Sequence, residues 1–141
     1  MTLHHLSVND LMTTALVTVH PDATIPDALD TMRTADIRHL PVVDRRGRLV
    51  GILSDRDLLH LPAKGKNAAH LVGEVMSRDV ASVSPGTLAR EAAALLVDRK
   101  IGALPVLDDD LALVGVVTET DFLRFVVEAL GGAGIADARH E

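Results

Sequence analysis

Apolar residues recur along this chain with two alternating periods. At Ile25, Ala28, Leu29 and Met32 the spacing is three and four, which places all of them on one face of a helix. Thr24 stands just before that face and Asp27 three residues later, the pattern of a capped helix start. Leu88, Ala92, Leu95 and Leu96 predict a second such helix, with Thr87 ahead of them. Short runs at residues 15 to 19 and 80 to 84 predict strands, each running into a proline, Pro21 or Pro85, that helps stop it. Leu40 to Val43, a turn carrying Gly47, and Leu49 to Leu53 then read as a hairpin, and Asp108 to Asp110 make the matching turn further on. Ser54 and Thr118 occupy cap positions that open helices through Asp57-Leu58-Leu59 and Asp121-Phe122-Leu123.

These predicted elements come twice. Met12 recurs as Met76, Pro21 as Pro85, Leu40-Pro41-Val42 as Leu104-Pro105-Val106, Asp44 as Asp108, Gly51 as Gly115 and Asp57 as Asp121, each pair offset by 64 residues. The chain therefore divides into a motif at 8–60, a polar linker at 61–71 with a Pro and a Gly, a second motif at 72–127, and a tail at 128–141 expected to be flexible. Each motif reads strand, helix, strand, strand, helix, an α+β pattern. One unit of about 55 residues has too little core to stand alone, so the two are expected to pack through their sheets about a pseudo-two-fold axis.

Composition narrows the functional classes. The 141 residues are 48% apolar, enough for a sizeable core, but include two Phe and no Trp or Tyr, so stacking platforms for single-stranded nucleic acid are missing. A formal charge of −6 also argues against nucleic acid, whose phosphates call for clustered Lys and Arg. The absence of cysteine excludes disulfides, thiol catalysis and Cys-type zinc sites. No basic flank with an apolar run marks a signal peptide, and no stretch reaches the ~20 apolar residues of a membrane span, so a cytoplasmic location is expected.

The series Met12, Pro21, Ala28-Leu29, Met32, Ile37-Arg38-His39-Leu40-Pro41-Val42-Val43-Asp44, Gly47, and Leu49-Val50-Gly51-Ile52-Leu53-Ser54 with Asp57 closely resembles the CBS motif. The second half repeats it with Ile101-Gly102-Ala103-Leu104-Pro105-Val106 and Val114-Gly115-Val116-Val117-Thr118 with Asp121. The likeness covers about residues 8 to 127, and its ordered string of positions occurs twice at one offset. It implies a tandem pair, or Bateman module, with two clefts for adenosine-type ligands (AMP, ADP, ATP or S-adenosylmethionine), usual assembly into a homodimer, and regulation of a separate partner.

In Ser54-Asp55-Arg56-Asp57 and Thr118-Glu119-Thr120-Asp121, a hydroxyl at a helix start suits a phosphate oxygen and a carboxylate one turn later can accept both ribose hydroxyls. Taken alone, each is a plain N-cap with a first-turn anion; recurrence in the repeat favours the functional reading for at least one cleft. The resemblance further implies composite clefts. A stronger one would combine Thr118 and Asp121 with Ala15, Leu16, Val17, Ile37, Arg38, His39 and Pro41; a weaker one would combine Ser54, Arg56 and Asp57 with Asp79, Val80, Ala81, Ile101, Gly102, Ala103 and Pro105. Arg38 and His39 make the first the better phosphate site, although both could instead face solvent or a dimer surface. Arg45, Arg46 and Arg48 read as a solvated turn, and Phe122 and Phe125 as core or interface anchors.

No nucleophile with an adjacent base and no catalytic carboxylate pair is apparent, so no enzymatic activity is expected. The seven histidines lack metal-ligand spacing, so no metal site from a single chain is expected. Two rivals remain: a ligand-free dimerisation module, and an oligomer responding to metal through surface histidines.

Overall fold

The computed structural model describes residues 5–131. Its elements run α1 (Val8–Leu11), α2 (Ile25–Ala35), β1 (His39–Val43), β2 (Leu49–Ser54), α3 (Asp55–Leu59), a 3-10 turn (Pro62–Lys64), α4 (Val72–Val75), α5 (Ala89–Arg99), β3 (Ala103–Leu107), β4 (Leu113–Thr118) and α6 (Glu119–Ala129). Helix α6 takes in the first two residues of the segment expected to be a flexible tail, and the rest of that expectation, from 132 on, lies outside the described residues.

Two antiparallel hairpins, β1–β2 and β3–β4, form two two-stranded sheets in the same register: His39 faces Ser54 as Ala103 faces Thr118, with an irregularity after Val42 and after Val106. The strand expected ahead of each long helix shrinks to a single parallel bridge. Val19 donates its N–H to the Pro41 carbonyl at 3.1 Å and accepts from Val43 at 2.9 Å, and Val83 repeats this with Pro105 and Leu107. Proline explains the shrinkage. Continuing the ladder in either direction needs an N–H from Pro41 or Pro21, and neither has one. The His20 ring fills one gap, with Nδ1 3.0 Å from the Val43 carbonyl oxygen.

Arg48 bridges Ala112, its own equivalent 64 residues on, as antiparallel partners. A residue paired with its repeat image marks a two-fold relation between the halves. The halves also exchange their leading segments. Ser7 bridges Leu88, and Val8 donates to the Thr87 carbonyl at 2.8 Å; in the mirror arrangement Leu71 bridges Thr24, and Val72 donates to the Ala23 carbonyl at 2.9 Å.

Each core is consequently mixed. Ile25, Ala28, Met32, Leu40, Val42 and Leu53 of the first repeat enclose Val72, Val75 and Met76 of the second. Ala92, Leu96, Leu104, Val106 and Val117 of the second enclose Val8 of the first. Fully burying an aliphatic side chain of this size contributes about 1.5–3 kcal/mol, so the exchanged valines tie the halves together.

Two local details depart from the repeat. Thr24 caps α2 by accepting the Asp27 N–H at 3.2 Å, but the residue 64 further on is Leu88, and it is Leu88 that caps α5 without a side-chain bond. Thr87 instead accepts the Ser84 N–H at 3.0 Å and braces the preceding turn. Gly47, at φ +78°, is matched by Leu111 at φ +64°, a conformation that glycine adopts freely and leucine does not.

Candidate functional site

Strand β2 ends at Ser54, where the chain turns into α3. Ser54 Oγ accepts the Asp57 N–H at 3.1 Å, and Asp57 Oδ2 accepts the Ser54 N–H at 2.9 Å. This reciprocal capping box fixes the carboxylate at the corner. Its other oxygen, Oδ1, accepts from Lys64 Nζ at 2.7 Å, the lysine coming from the 3-10 turn. The Asp57 side chain is 16% exposed and that of Lys64 40%.

The corner borders a cavity of about 810 Å³ built from both repeats. Ser54, Asp55, Arg56 and Asp57 form one side. The extended segment Asp79-Val80-Ala81 and the entry to β3, Ile101-Gly102-Ala103, form the other, with Lys100 placed by the left-handed turn (φ +55°) that ends α5. Nine of the ten residues expected in the weaker cleft are thus brought together; Pro105 is buried inside β3 and is not part of the lining.

Arg38 and His39, expected beside Thr118 and Asp121, line this same cavity together with Glu119. The hairpin register is the cause. His39 faces Ser54 across the β1–β2 ladder, and the Arg38 carbonyl accepts the Asp55 N–H at 2.9 Å, so both side chains rise next to their own repeat's corner. His39 also crosses to the other repeat. A Cβ on Gly102 would stand 2.7 Å from the ring Cε1 and 3.1 Å from Glu119 Oε1, so only glycine leaves room for the imidazole there. Burial holds the His39 pKa below its ordinary value; Asp55, Glu119 and Asp57 pull it back up, while Arg38 pushes it down.

At the second corner the carboxylate is buried. Thr118 and Asp121 form the same capping box, with the Thr118 N–H donating to Oδ2 at 2.9 Å. Here Oδ1 accepts the Thr13 hydroxyl at 3.1 Å and contacts Arg124 Nη1 at 3.4 Å, and Asp121 is 6% exposed. Of the residues expected around it, Val17 and Ile37 pack against the first core, Pro41 is buried in β1, and Ala15 and Leu16 are exposed.

The cavity also contains residues that sequence reasoning did not select: Ile52, Ser77, Leu96, Val97, Arg99 and Glu119. Ser77 carried a readable signal, since it is the repeat image of Thr13. Among the described residues there is no cluster of three or more His, Cys, Asp or Glu that could hold a metal ion, and no helix long and apolar enough to cross a membrane.

With the geometry in place, comparison with known proteins is decisive: the CBS-domain family profile matches residues 8–64 and 72–128. The chain belongs to the CBS-domain family. The CBS domain-containing protein YhcV of Bacillus subtilis is 38% identical over 137 residues, 96% of each chain. CBSX2 of Arabidopsis thaliana, in its complex with AMP, superimposes with TM-score 0.81 at 30% identity over 88% of this chain and 98% of that one. The CBS-domain pair of protein MJ0100, in complex with 5′-methylthioadenosine and S-adenosyl-L-methionine, gives TM-score 0.81 at 29% identity over 87% and 97%. Where a match falls within a larger protein the chain spans only part of it, 21% of the inosine-5′-monophosphate dehydrogenase of Methanocaldococcus jannaschii. This is a tandem CBS pair of mixed helices and two small sheets.

Proposed function

We propose that the chain binds a phosphorylated adenine nucleotide in the cavity at Ser54 and Asp57 and acts, without catalysis of its own, as a regulatory module on a separate cytoplasmic partner. The observation that carries this reading is the composition of one cavity. A capped carboxylate suited to a ribose diol stands beside apolar Val80, Ala81 and Ile101 and within the same walls as Arg38, Arg56, Arg99 and Lys100. In this reading Asp57 accepts the ribose hydroxyls, the aliphatic wall takes the adenine, and the guanidinium and ammonium groups meet the phosphate through charge-assisted hydrogen bonds. Neighbours crystallised with AMP and with S-adenosyl-L-methionine support an adenosyl ligand, and the four cations, set among the carboxylates of Asp55, Asp57, Asp79 and Glu119, offer partners for the phosphate of AMP, ADP or ATP. The roles first expected of the two clefts exchange: the Ser54 cleft becomes the stronger, and that of Thr118, where Asp121 is buried under Thr13 and Arg124, the weaker.

Homodimer formation belongs to the same reading. Leu123, Val126, Val127 and Leu130 lie at three- and four-residue spacing on α6 and its end and are 65, 45, 46 and 70% exposed, an apolar stripe that a second copy would cover.

A thermal-shift panel with AMP, ADP, ATP and S-adenosylmethionine tests the proposal. A ligand at a hundred times its dissociation constant stabilises the fold by about 2.7 kcal/mol. A clear rise with a phosphorylated nucleotide is expected. No rise with any of the four leaves the ligand-free dimerisation module, and a rise with zinc alone, abolished by a chelator, selects the metal-responsive oligomer.

A further inference from the structure

We infer that Lys64 sets the preference of the Ser54–Asp57 site for phosphorylated over unphosphorylated nucleosides; the inference rests on the nucleotide reading above. In the free protein both Asp57 oxygens are engaged, Oδ2 by the Ser54 N–H at 2.9 Å and Oδ1 by Lys64 Nζ at 2.7 Å. A ribose hydroxyl that takes Oδ1 must share it with the ammonium or displace it. Displacement is sterically open, because the Lys64 side chain is 40% exposed on a flexible four-carbon stem, at the end of a three-residue turn that closes through Gly65 at φ +69°. What differs between ligands is where the ammonium goes afterwards. A phosphate on a ribose held by Asp57 brings a second anion to the corner that Lys64 flanks from outside the cavity lining, whereas a neutral nucleoside leaves the ammonium only water. The lysine therefore penalises adenosine and spares, or favours, AMP.

This device belongs to one corner alone. The position 64 residues after Lys64 is Glu128, and Asp121 is instead held by Thr13 and Arg124. Nothing in the repeat requires a lysine at position 64, and its charge enters no other ion pair among the described residues.

Calorimetry with adenosine, 2′-deoxyadenosine and AMP on the full chain, its Lys64→Met variant and its Lys64→Arg variant tests the inference. In Lys64→Met, adenosine should bind about two- to five-fold more tightly, the range a partly exposed ion pair is worth. AMP should gain nothing, so the AMP-to-adenosine ratio narrows; 2′-deoxyadenosine, with one hydroxyl fewer for Asp57, should gain less than adenosine. Lys64→Arg should keep the wild-type ratio. An unchanged ratio in Lys64→Met, with adenosine and AMP both binding, overturns the role of Lys64 and leaves the nucleotide site standing. Failure of both ligands to bind the wild-type chain overturns the nucleotide reading, and this inference with it.

Discussion

At Thr118 the carboxylate of Asp121 is sealed by a hydroxyl that lies 108 residues away in sequence, and the side chain is 5% exposed. At Ser54 the equivalent carboxylate of Asp57 is held by a lysine that water reaches. Both corners are the same capping box, produced by the same local pattern, and both end a hairpin in the same register. Local sequence thus builds the chemistry, and remote neighbours decide whether it is available. Thr13 and its image Ser77 cross to the other repeat in the same way, pairing with Val116 and Ile52; the Thr13 hydroxyl donates to Asp121, whereas Ser77 lines the open cavity and Lys64 holds Asp57.

Exchanging which corner is damaged should give the largest effects and break this comparison if it is wrong. Asp57→Ala is expected to weaken AMP binding by about 1.5–3 kcal/mol, the worth of a hydrogen bond to a charged group, with a smaller loss of stability. Asp121→Ala should do the reverse, because it removes the acceptor of the part-buried Thr118 N–H and of the Thr13 hydroxyl, at about 0.5–1.5 kcal/mol of stability per hydrogen bond, while leaving the affinity nearly intact. Melting curves and calorimetry on both variants decide it, and equal losses of affinity would mean two equivalent clefts.

The hairpin turns sharpen the comparison at a smaller scale. Leu111 is 66% exposed and has a positive φ where its image is Gly47, so Leu111→Gly removes backbone strain at little cost in burial. A gain of roughly 1 kcal/mol is expected from the usual penalty for a left-handed non-glycine residue. Gly47→Leu should lose a similar amount, and chemical denaturation of both variants reads the pair.

The smallest effect expected is a pH dependence that belongs to one cavity only. The His39 pKa lies below its unfolded value of 6.5, so the unfolded chain takes up the proton first as pH falls. Stability contributed by the neutral ring is complete above pH 6.5 and is lost as pH drops from there towards the folded pKa. His39→Gln should flatten that part of the stability profile. Anion binding beside the ring opposes the downward shift, so AMP affinity should rise over the same interval in the wild type and not in the variant.

Much of the fold was readable because it is written twice. The two hairpins, the α2 face at Ile25, Ala28 and Met32, and the caps at Ser54 and Thr118 all follow from local periodicity and spacing. The expected leading strands are cut to single parallel bridges by a point of chemistry already visible at Pro41 and Pro21, the missing N–H groups. The position of His39 was less accessible. Its identity points to a phosphate site, but which corner it lies beside depends on its partner across the hairpin, Ser54, which local spacing does not give. Lys64 escaped notice because α3 stops at Leu59 and only the following 3-10 turn brings the lysine back to Asp57.

The exchange of Val8 and Val72 between the two cores reaches back to how such a chain could arise. A lone repeat would carry its valine to a core it does not possess, so it could complete itself only by meeting a second copy, at a rate and extent set by concentration. Joining two copies through residues 61–71 turns that encounter into an intramolecular one at a high effective concentration. Once joined, the copies no longer need to be alike, and one corner is free to be sealed for strength while the other stays open for a ligand.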